Sequence, residues 1–289
     1  MSPNPKYPIY IVSKGRWESR LTIKALEKMK VPFNVVVEPD EVKKYLEVVK
    51  GGRVLKLDMK YKEKYDTCDK LGDKIGKGSG GARNFAWDHS IKEGHKRHWV
   101  IDDNILSFYR RNKNIHHRVL DGNLFKIMEQ FVDRYENVAM AGPNYLFFVP
   151  QRSKLPVFYI NTRIYSCNLI DNKVPFRWRG RFNEDTDLSI RMLKEGYCTI
   201  LFNAFLQGKM STLTMKGGNT DSIYIRDGVF KKAEMIAKLH PDIARMTHRF
   251  KRVHHYVNYS VFKKNVLIRK KGIKLDRKSN EHGMVLKGK

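Results

Sequence analysis

The sequence predicts an α/β fold whose first half is built on a mostly parallel, Rossmann-like sheet. Three observations predict it. The first 57 residues alternate short apolar runs with helically spaced apolar residues, a further buried-type run at His98 to Ile101 stops abruptly in acids, and 289 residues at 41% hydrophobic content suffice for a full core.

Taken in order, Pro8-Ile-Tyr-Ile-Val12 reads as a strand, the polar Ser13-Lys-Gly-Arg16 as a loop, and Leu21, Ala25, Leu26 and Met29 as one face of a helix. Phe33 to Val37 is β-branched and ends at Glu38-Pro39; Val42, Tyr45, Leu46 and Val49 recur helically; Arg53 to Leu57 alternates as a strand. This β-α-β-α-β order implies parallel strands joined by right-handed crossovers. Residues 60 to 81 read as a polar loop closing in Gly78-Ser-Gly-Gly81, followed by a helix from Ala82 to Glu93-Gly94 and the strand His98 to Ile101. Beyond it the texture changes. A helix is expected over about 122 to 135, then strands at Asn137 to Met140, Tyr145 to Val149 and Phe158 to Ser166, which make this half mixed and partly antiparallel. A helix carrying Leu188, Met192 and Leu193 is expected to end at Gly196, before a strand over Tyr197 to Phe202 and a last helix over Gly228 to Leu239.

Charge narrows the function. Lys and Arg number 57 against 30 acids, a formal +27, and residues 245 to 289 alone carry 14 cations and two acids. Such a surplus attracts polyanions, nucleic acid or an anionic membrane surface. No apolar run reaches the roughly 20 residues of a membrane helix, and no apolar stretch of a signal peptide follows the N-terminus, so the expectation is a cytoplasmic protein acting on nucleic acid. Cys68, Cys167 and Cys198 are too scattered for a disulfide framework or a zinc cage. Walker A, G-x-G-x-x-G and H-E-x-x-H patterns do not occur, which disfavours P-loop ATPases, dinucleotide enzymes and zincins.

Two acidic motifs carry the chemistry. Asp102-Asp103-Asn104 follows a strand, where open α/β sheets bind ligands, and its hard oxygens suit a Mg²⁺ or Mn²⁺ that also grips a diphosphate; capping of a helix starting near Ile105 explains the residues equally well. Asn183-Glu184-Asp185-Thr186-Asp187 puts three acids at a helix start, preceded by Arg177, Arg179 and Arg181. Capping accounts for some of them, and a proton acceptor for a hydroxyl nucleophile accounts for their number. Gly78 to Gly81 is either an anion site at a helix start or a flexible loop; Lys209 and Gly217-Gly-Asn219 are phosphate contacts or turn residues. His254 and His255 offer a metal ligand, a basic nucleic-acid face or ordinary packing.

In order and spacing, Pro8-Ile-Tyr-Ile-Val-Ser-Lys-Gly-Arg16, Ala82-Arg-Asn84, Trp99-Val-Ile-Asp-Asp-Asn104, Asn161-Thr-Arg163, Asn183-Glu-Asp-Thr-Asp-Leu-Ser189 and Gly217-Gly-Asn219 resemble the TET-associated glycosyltransferases of bacteriophages, over about Tyr7 to Tyr259. The resemblance implies a GT-A-like catalytic domain over 1–245, with a nucleotide-sugar half at about 7–110 and an acceptor half at about 111–245, followed by a basic extension over 246–289. It implies transfer of a sugar from a nucleotide-sugar, a UDP-sugar by expectation, to 5-hydroxymethylcytosine in phage DNA within the host cytoplasm. A TET-like dioxygenase would make that base. Ser13, Lys14, Arg16, Glu38, Arg83, Asp102, Lys209 and Asn219 would border the donor; Asp102, Asp103 and His254 would hold Mn²⁺ or Mg²⁺. Asp185, with Glu184 beside it, would be the base, making the transfer inverting. Arg179, Arg181, Arg249, Lys251, Arg252, Lys263 and Lys264 would meet the DNA. The sequence departs from a strict D-x-D at Asn104. Rival readings are a transferase of related build acting on a non-DNA acceptor, and a non-catalytic basic DNA-binding protein.

Overall fold

The computed structural model describes residues 3–152, 154–210, 228–249 and 252–273. Strands β1 (Ile9–Val12), β2 (Phe33–Val37), β3 (Gly52–Lys56) and β4 (Arg97–Asp102) pair in parallel in the order β3-β2-β1-β4, with α1 (Leu21–Lys28), α2 (Val42–Val48), a short α3 (Lys60–Glu63) and α4 (Gly80–Lys92) between them. The expected α/β half is therefore present. The α3 turn and a 3-10 turn at Asp73–Ile75 interrupt what reads in the sequence as one long loop.

From β4 the sheet turns mixed. Strand β9 (Cys167–Asp171) is antiparallel to both β4 and β7 (Val138–Tyr145), β7 is parallel to β10 (Cys198–Lys209), and β10 is antiparallel to β5 (Ile105–Asn112), which forms a hairpin with β6 (Ile115–Arg118). The short β8 (Phe158–Ile160) pairs with the first half of β10, giving this sheet ten strands among the described residues. Three expectations are corrected here. No helix starts near Ile105, because the chain turns at Asp103-Asn104 into β5. Tyr145 to Val149 leaves β7 as a 3-10 turn at Leu146–Phe148, and Phe158 to Ser166 is strand only to Ile160, since Asn161 and Ser166 take left-handed backbone conformations (φ +58° and +65°) that a strand cannot contain.

Alternation along the strands builds two hydrophobic layers. Ile9, Ile11, Val35, Trp99 and Ile101 face one side and bury Ile23 and Leu26 of α1 with Phe125 and Met128 of α5 (Asn123–Val132), whereas Tyr10, Val36 and Val100 face Ala82 and Ala86 of α4. Helix α6 (Glu184–Lys194) packs Leu188 and Met192 on that second side against Met140, Ile170 and Leu201. Helix α7 (Gly228–Leu239) and the hairpin β11 (Ala244–Arg249)–β12 (Arg252–Val257) join α6 through Ile190, Leu193, Ile236, Ala244 and Phe262. The three cysteines are unbonded, and no described helix is long and apolar enough to cross a membrane.

Candidate functional site

Strands β1, β4, β7 and β10 run in one direction, so Val12, Asp102, Tyr145 and Lys209 finish at the same edge of the sheet, the edge at which open α/β sheets bind ligands. Asp102 is the hub. Its Oδ1 accepts from Arg83 Nη2 at 2.7 Å and its Oδ2 from Lys209 Nζ at 2.6 Å; Lys209 also donates to Ser166 Oγ at 2.7 Å, which is hydrogen-bonded to the Tyr145 hydroxyl at 2.6 Å. Burial opposes ionisation of Asp102, yet Lys209 and Arg83 outweigh it and hold its carboxyl well below the usual range.

Asp103 points elsewhere. Its carboxylate accepts from Ser13 Oγ at 2.7 Å and pairs with Arg16, and Ser13 also meets the Tyr45 hydroxyl at 2.6 Å. The main chain of Gly15 donates twice to Glu41, at 2.8 and 3.0 Å, while Glu38 pairs with Lys62 and, at 2.9 Å, with Lys14. Ser13, Lys14, Arg16 and Glu38 thus gather around the loop after β1, with Asp103 fixing its shape.

The three residues expected to hold a divalent ion, Asp102, Asp103 and His254, are not brought together by this arrangement. All four carboxylate oxygens of the two aspartates are held by Arg83, Lys209, Arg16 and Ser13, and no group of three His, Cys, Asp or Glu among the described residues is placed to ligate a metal. His254 and its neighbour alternate across β12: His254 accepts from Arg252 Nε at 3.2 Å, and it is His255 that turns toward Asn183 and Arg163.

The second motif lies on the same side as the first. Arg83 reaches both: besides Asp102, its Nη1 makes an ion pair with Glu184 at 3.2 Å, and the guanidinium lies 4.6 Å from the centre of the Trp178 ring. Asn84 holds that tryptophan in place by exchanging hydrogen bonds with its backbone at 2.9 and 2.8 Å. Ser79, before α4, donates to Glu184 at 3.1 Å, so the positive ends of α4 and α6 meet at this carboxylate. Burial raises the Glu184 pKa, and the Asp185 charge adds to the rise while Arg83 opposes it.

Asp185 sits beside it, half-buried, with its Oδ1 accepting from Thr186 N at 2.7 Å. Arg163, Lys209, Lys232, Tyr145, Tyr165 and Tyr259 all lie within electrostatic reach of this carboxylate. So does His255, whose imidazole burial and the Arg163 charge push down to about 4. The third acid has another task. Asp187 is fully buried and takes Arg179 at 3.1 Å, Arg191 at 2.7 Å and His240 at 2.9 Å; burial would raise its carboxyl, but the His240 and Arg179 hydrogen bonds hold it down at about 2. It ties α6 to the end of α7.

Of the arginines expected at DNA, Arg181 is buried, whereas Arg179 pairs with Asp187 while keeping about a third of its side chain exposed. Arg181 is 3% exposed and forks onto Asp69 at 2.8 to 3.1 Å. Arg249, Arg252, Lys263 and Lys264 are exposed; Lys251 and Asn219 lie outside the described residues. Sequence reasoning missed Lys232, which looks like any helix-surface lysine, and Tyr145 and Ser166, at the ends of apolar runs. Arg163 was signalled by the Asn161-Thr-Arg163 motif: Asn161 donates to the Phe262 and Asn265 carbonyls at 2.9 and 2.8 Å and so seats the C-terminal segment against Arg163's own loop.

The glycines that open α4 answer to packing. A Cβ on Gly80 would lie 1.8 Å from the Tyr65 hydroxyl, which donates to the Gly180 carbonyl at 2.8 Å, and one on Gly81 would lie 2.7 Å from the Tyr61 carbonyl oxygen. Gly80→Ala is therefore expected to cost about 1–3 kcal/mol of stability, as overpacking does, through displacement of Tyr65 from the Trp178–Gly180 loop. A thermal melt that matches the parent would contradict it.

Fold and site together define an α/β protein whose sheet edge gathers arginine and lysine, two helix N-termini and a half-exposed carboxylate. The chain belongs to the TET-associated glycosyltransferase family, whose family model matches residues 7–218, and it is thereby a glycosyltransferase. None of the curated proteins compared matches it. Among solved structures, a mannose-6-phosphate isomerase from Helicobacter pylori aligns over 92% of this chain and 94% of its own at 11% identity and a TM-score of 0.28, too low to bear on the fold.

Proposed function

We propose that the protein transfers a sugar from a nucleotide-sugar to the hydroxymethyl oxygen of 5-hydroxymethylcytosine in DNA, with the donor held in a GT-A-like first half. The observation that carries this reading is the double engagement of Arg83 by Asp102 and Glu184, which sets the cations of the first motif beside the half-buried Asp185 carboxylate of the second.

The chemistry follows from charge. As the bond between the sugar's anomeric carbon and the diphosphate oxygen breaks, negative charge grows on the departing nucleoside diphosphate. Lys209, Arg83 and the N-terminus of α4 form a preorganised positive environment for that charge, with no metal step required. The acceptor oxygen bonds to the anomeric carbon from the opposite side, and its proton passes to Asp185, so one displacement inverts the centre. Ser13, Lys14, Arg16 and Glu38, at the loop after β1, border the nucleoside. A formal charge of +27 supports a polyanionic acceptor, and the family's association with TET enzymes supports a hydroxymethylated base.

The test is mass spectrometry of nucleosides from hydroxymethylcytosine DNA incubated with the protein and a panel of nucleotide-sugars. A hexose- or N-acetylhexosamine-sized gain on hydroxymethylcytosine is expected with at least one donor. No gain with any donor, against gain on a lipid or glycan acceptor, would overturn the reading.

A further inference from the structure

Phe147 and Phe148, in the 3-10 turn after β7, are 68% and 45% exposed, an unusual position for two adjacent large apolar rings. They are held in an ordered stack. Phe147 lies on Tyr145 with centroids 5.5 Å apart and planes 17° from parallel, and Phe148 sits 4.1 Å from Phe147 and 6.3 Å from Tyr165 in an edge contact. Tyr145 is hydrogen-bonded to Ser166, which also receives Lys209, so the aromatic ladder runs without a break from the surface to the candidate site.

Basic residues lie on the neighbouring β5–β6 hairpin and on the segment after the turn. Arg111 on β5 donates to the Leu155 carbonyl at 3.2 Å, joining the hairpin to that segment. Residues 105–118 and 146–157 hold six cations, Arg110, Arg111, Lys113, Arg118, Arg152 and Lys154, and no acid. Arg110, Lys113, Arg118, Arg152 and Lys154 are exposed. Exposed cations near exposed aromatic faces are the recognition chemistry of an unstacked nucleic-acid strand: phosphates meet the charges, and any base stacks on the rings.

We propose that this surface is the docking site of the acceptor DNA, with the β5–β6 hairpin against phosphates and Phe147–Phe148 as the platform that receives the target nucleotide as it leaves the duplex. The inference rests on the acceptor reading above and adds to it where the DNA lies and what offsets the cost of extruding the base.

Two sets of substitutions test it: Phe147→Ala with Phe148→Ala, and Lys113→Glu with Arg118→Glu and Arg152→Glu. The probe is a fluorescein-labelled duplex containing one 5-hydroxymethylcytosine and a neighbouring 2-aminopurine, with free 5-hydroxymethyldeoxycytidine as the short acceptor; melting temperatures check that each variant folds. The charge reversal is expected to weaken duplex binding at least about tenfold and to flatten the slope of log Kd against log salt by about two to three. The double alanine variant is expected to lower the ratio of duplex to nucleoside transfer about tenfold and to abolish the 2-aminopurine brightening, and Phe147→Tyr with Phe148→Tyr to restore both. Parent-like affinity and transfer ratio in both variants would overturn the inference and leave the acceptor reading standing. No transfer to hydroxymethylcytosine by the parent protein would overturn that reading and this inference with it.

Discussion

Asp185→Asn is expected to remove sugar transfer and leave a folded protein that still binds donor and DNA. The amide keeps an oxygen at the position where Thr186 N donates at 2.7 Å, so the first turn of α6 retains its local hydrogen bond. What the amide cannot do is accept the proton of the attacking hydroxyl. Loss of a positioned general base costs about 10²–10⁴-fold in kcat, equivalent to roughly 2.7–5.5 kcal/mol on the barrier. The measurement is steady-state transfer to hydroxymethylcytosine DNA, with DNA affinity by anisotropy as control. Glu184→Gln provides the contrast. Its carboxylate is committed to Arg83 and Ser79, so its loss displaces Arg83 and is expected to appear first as a raised donor KM. A kcat for Asp185→Asn close to the parent value would assign the proton to another group and remove the argument for inversion.

How far the sequence reveals this site depends on the range of the contacts that build it. The alternation up to Ile101 is local, and so the parallel half, the end of β4 and the loop after β1 are legible from residue types alone. Asp102 is therefore recognisable from the sequence as the last residue of a strand. Its partner Lys209 lies 107 residues away in sequence, and nothing local distinguishes a lysine that reaches a buried carboxylate from one in solvent. The same holds in reverse for Arg181. It resembles a nucleic-acid contact beside Arg177 and Arg179, but a carboxylate 112 residues earlier, Asp69, encloses it. Asp102 and Asp103 look equivalent in sequence, yet adjacent residues point to opposite sides of an extended chain, one to Arg83 and Lys209, the other to Ser13 and Arg16. The β5–β6 hairpin was missed because Asp103-Asn104 reads as a helix cap as readily as a tight turn, and the run Tyr145 to Val149 because an unbroken apolar stretch carries no period. Those two failures coincide with the surface that carries the exposed phenylalanines. A sequence pattern that presents apolar residues to solvent is invisible to rules that assume apolar residues are buried.

Lys209→Met separates a catalytic cation from a structural one. Lys209 donates to Asp102 and to Ser166, and Asp102 raises the lysine's affinity for its proton despite burial, so the ammonium is a permanent charge at the sheet edge. Removing it leaves Arg83 as the one ion-pair partner of Asp102 among the described residues. Two effects then overlap: the fold loses a partner of a largely buried carboxylate, and the departing diphosphate loses a donor, which at oxyanion-type sites costs about 10²–10³ in rate. The double variant Asp102→Asn, Lys209→Met distinguishes them. With the uncompensated carboxylate neutralised, thermal stability is expected to return toward the parent value while transfer stays down by the same about 10²–10³ factor, because no substitution has replaced the positive charge. Since the four oxygens of Asp102 and Asp103 are already engaged by protein donors, the parent rate is also expected to persist in excess EDTA. Recovery of transfer in the double variant would make Lys209 a structural counter-ion only. Loss of the parent rate on chelation, restored by Mn²⁺, would mean that these ion pairs open to admit a metal when the donor binds.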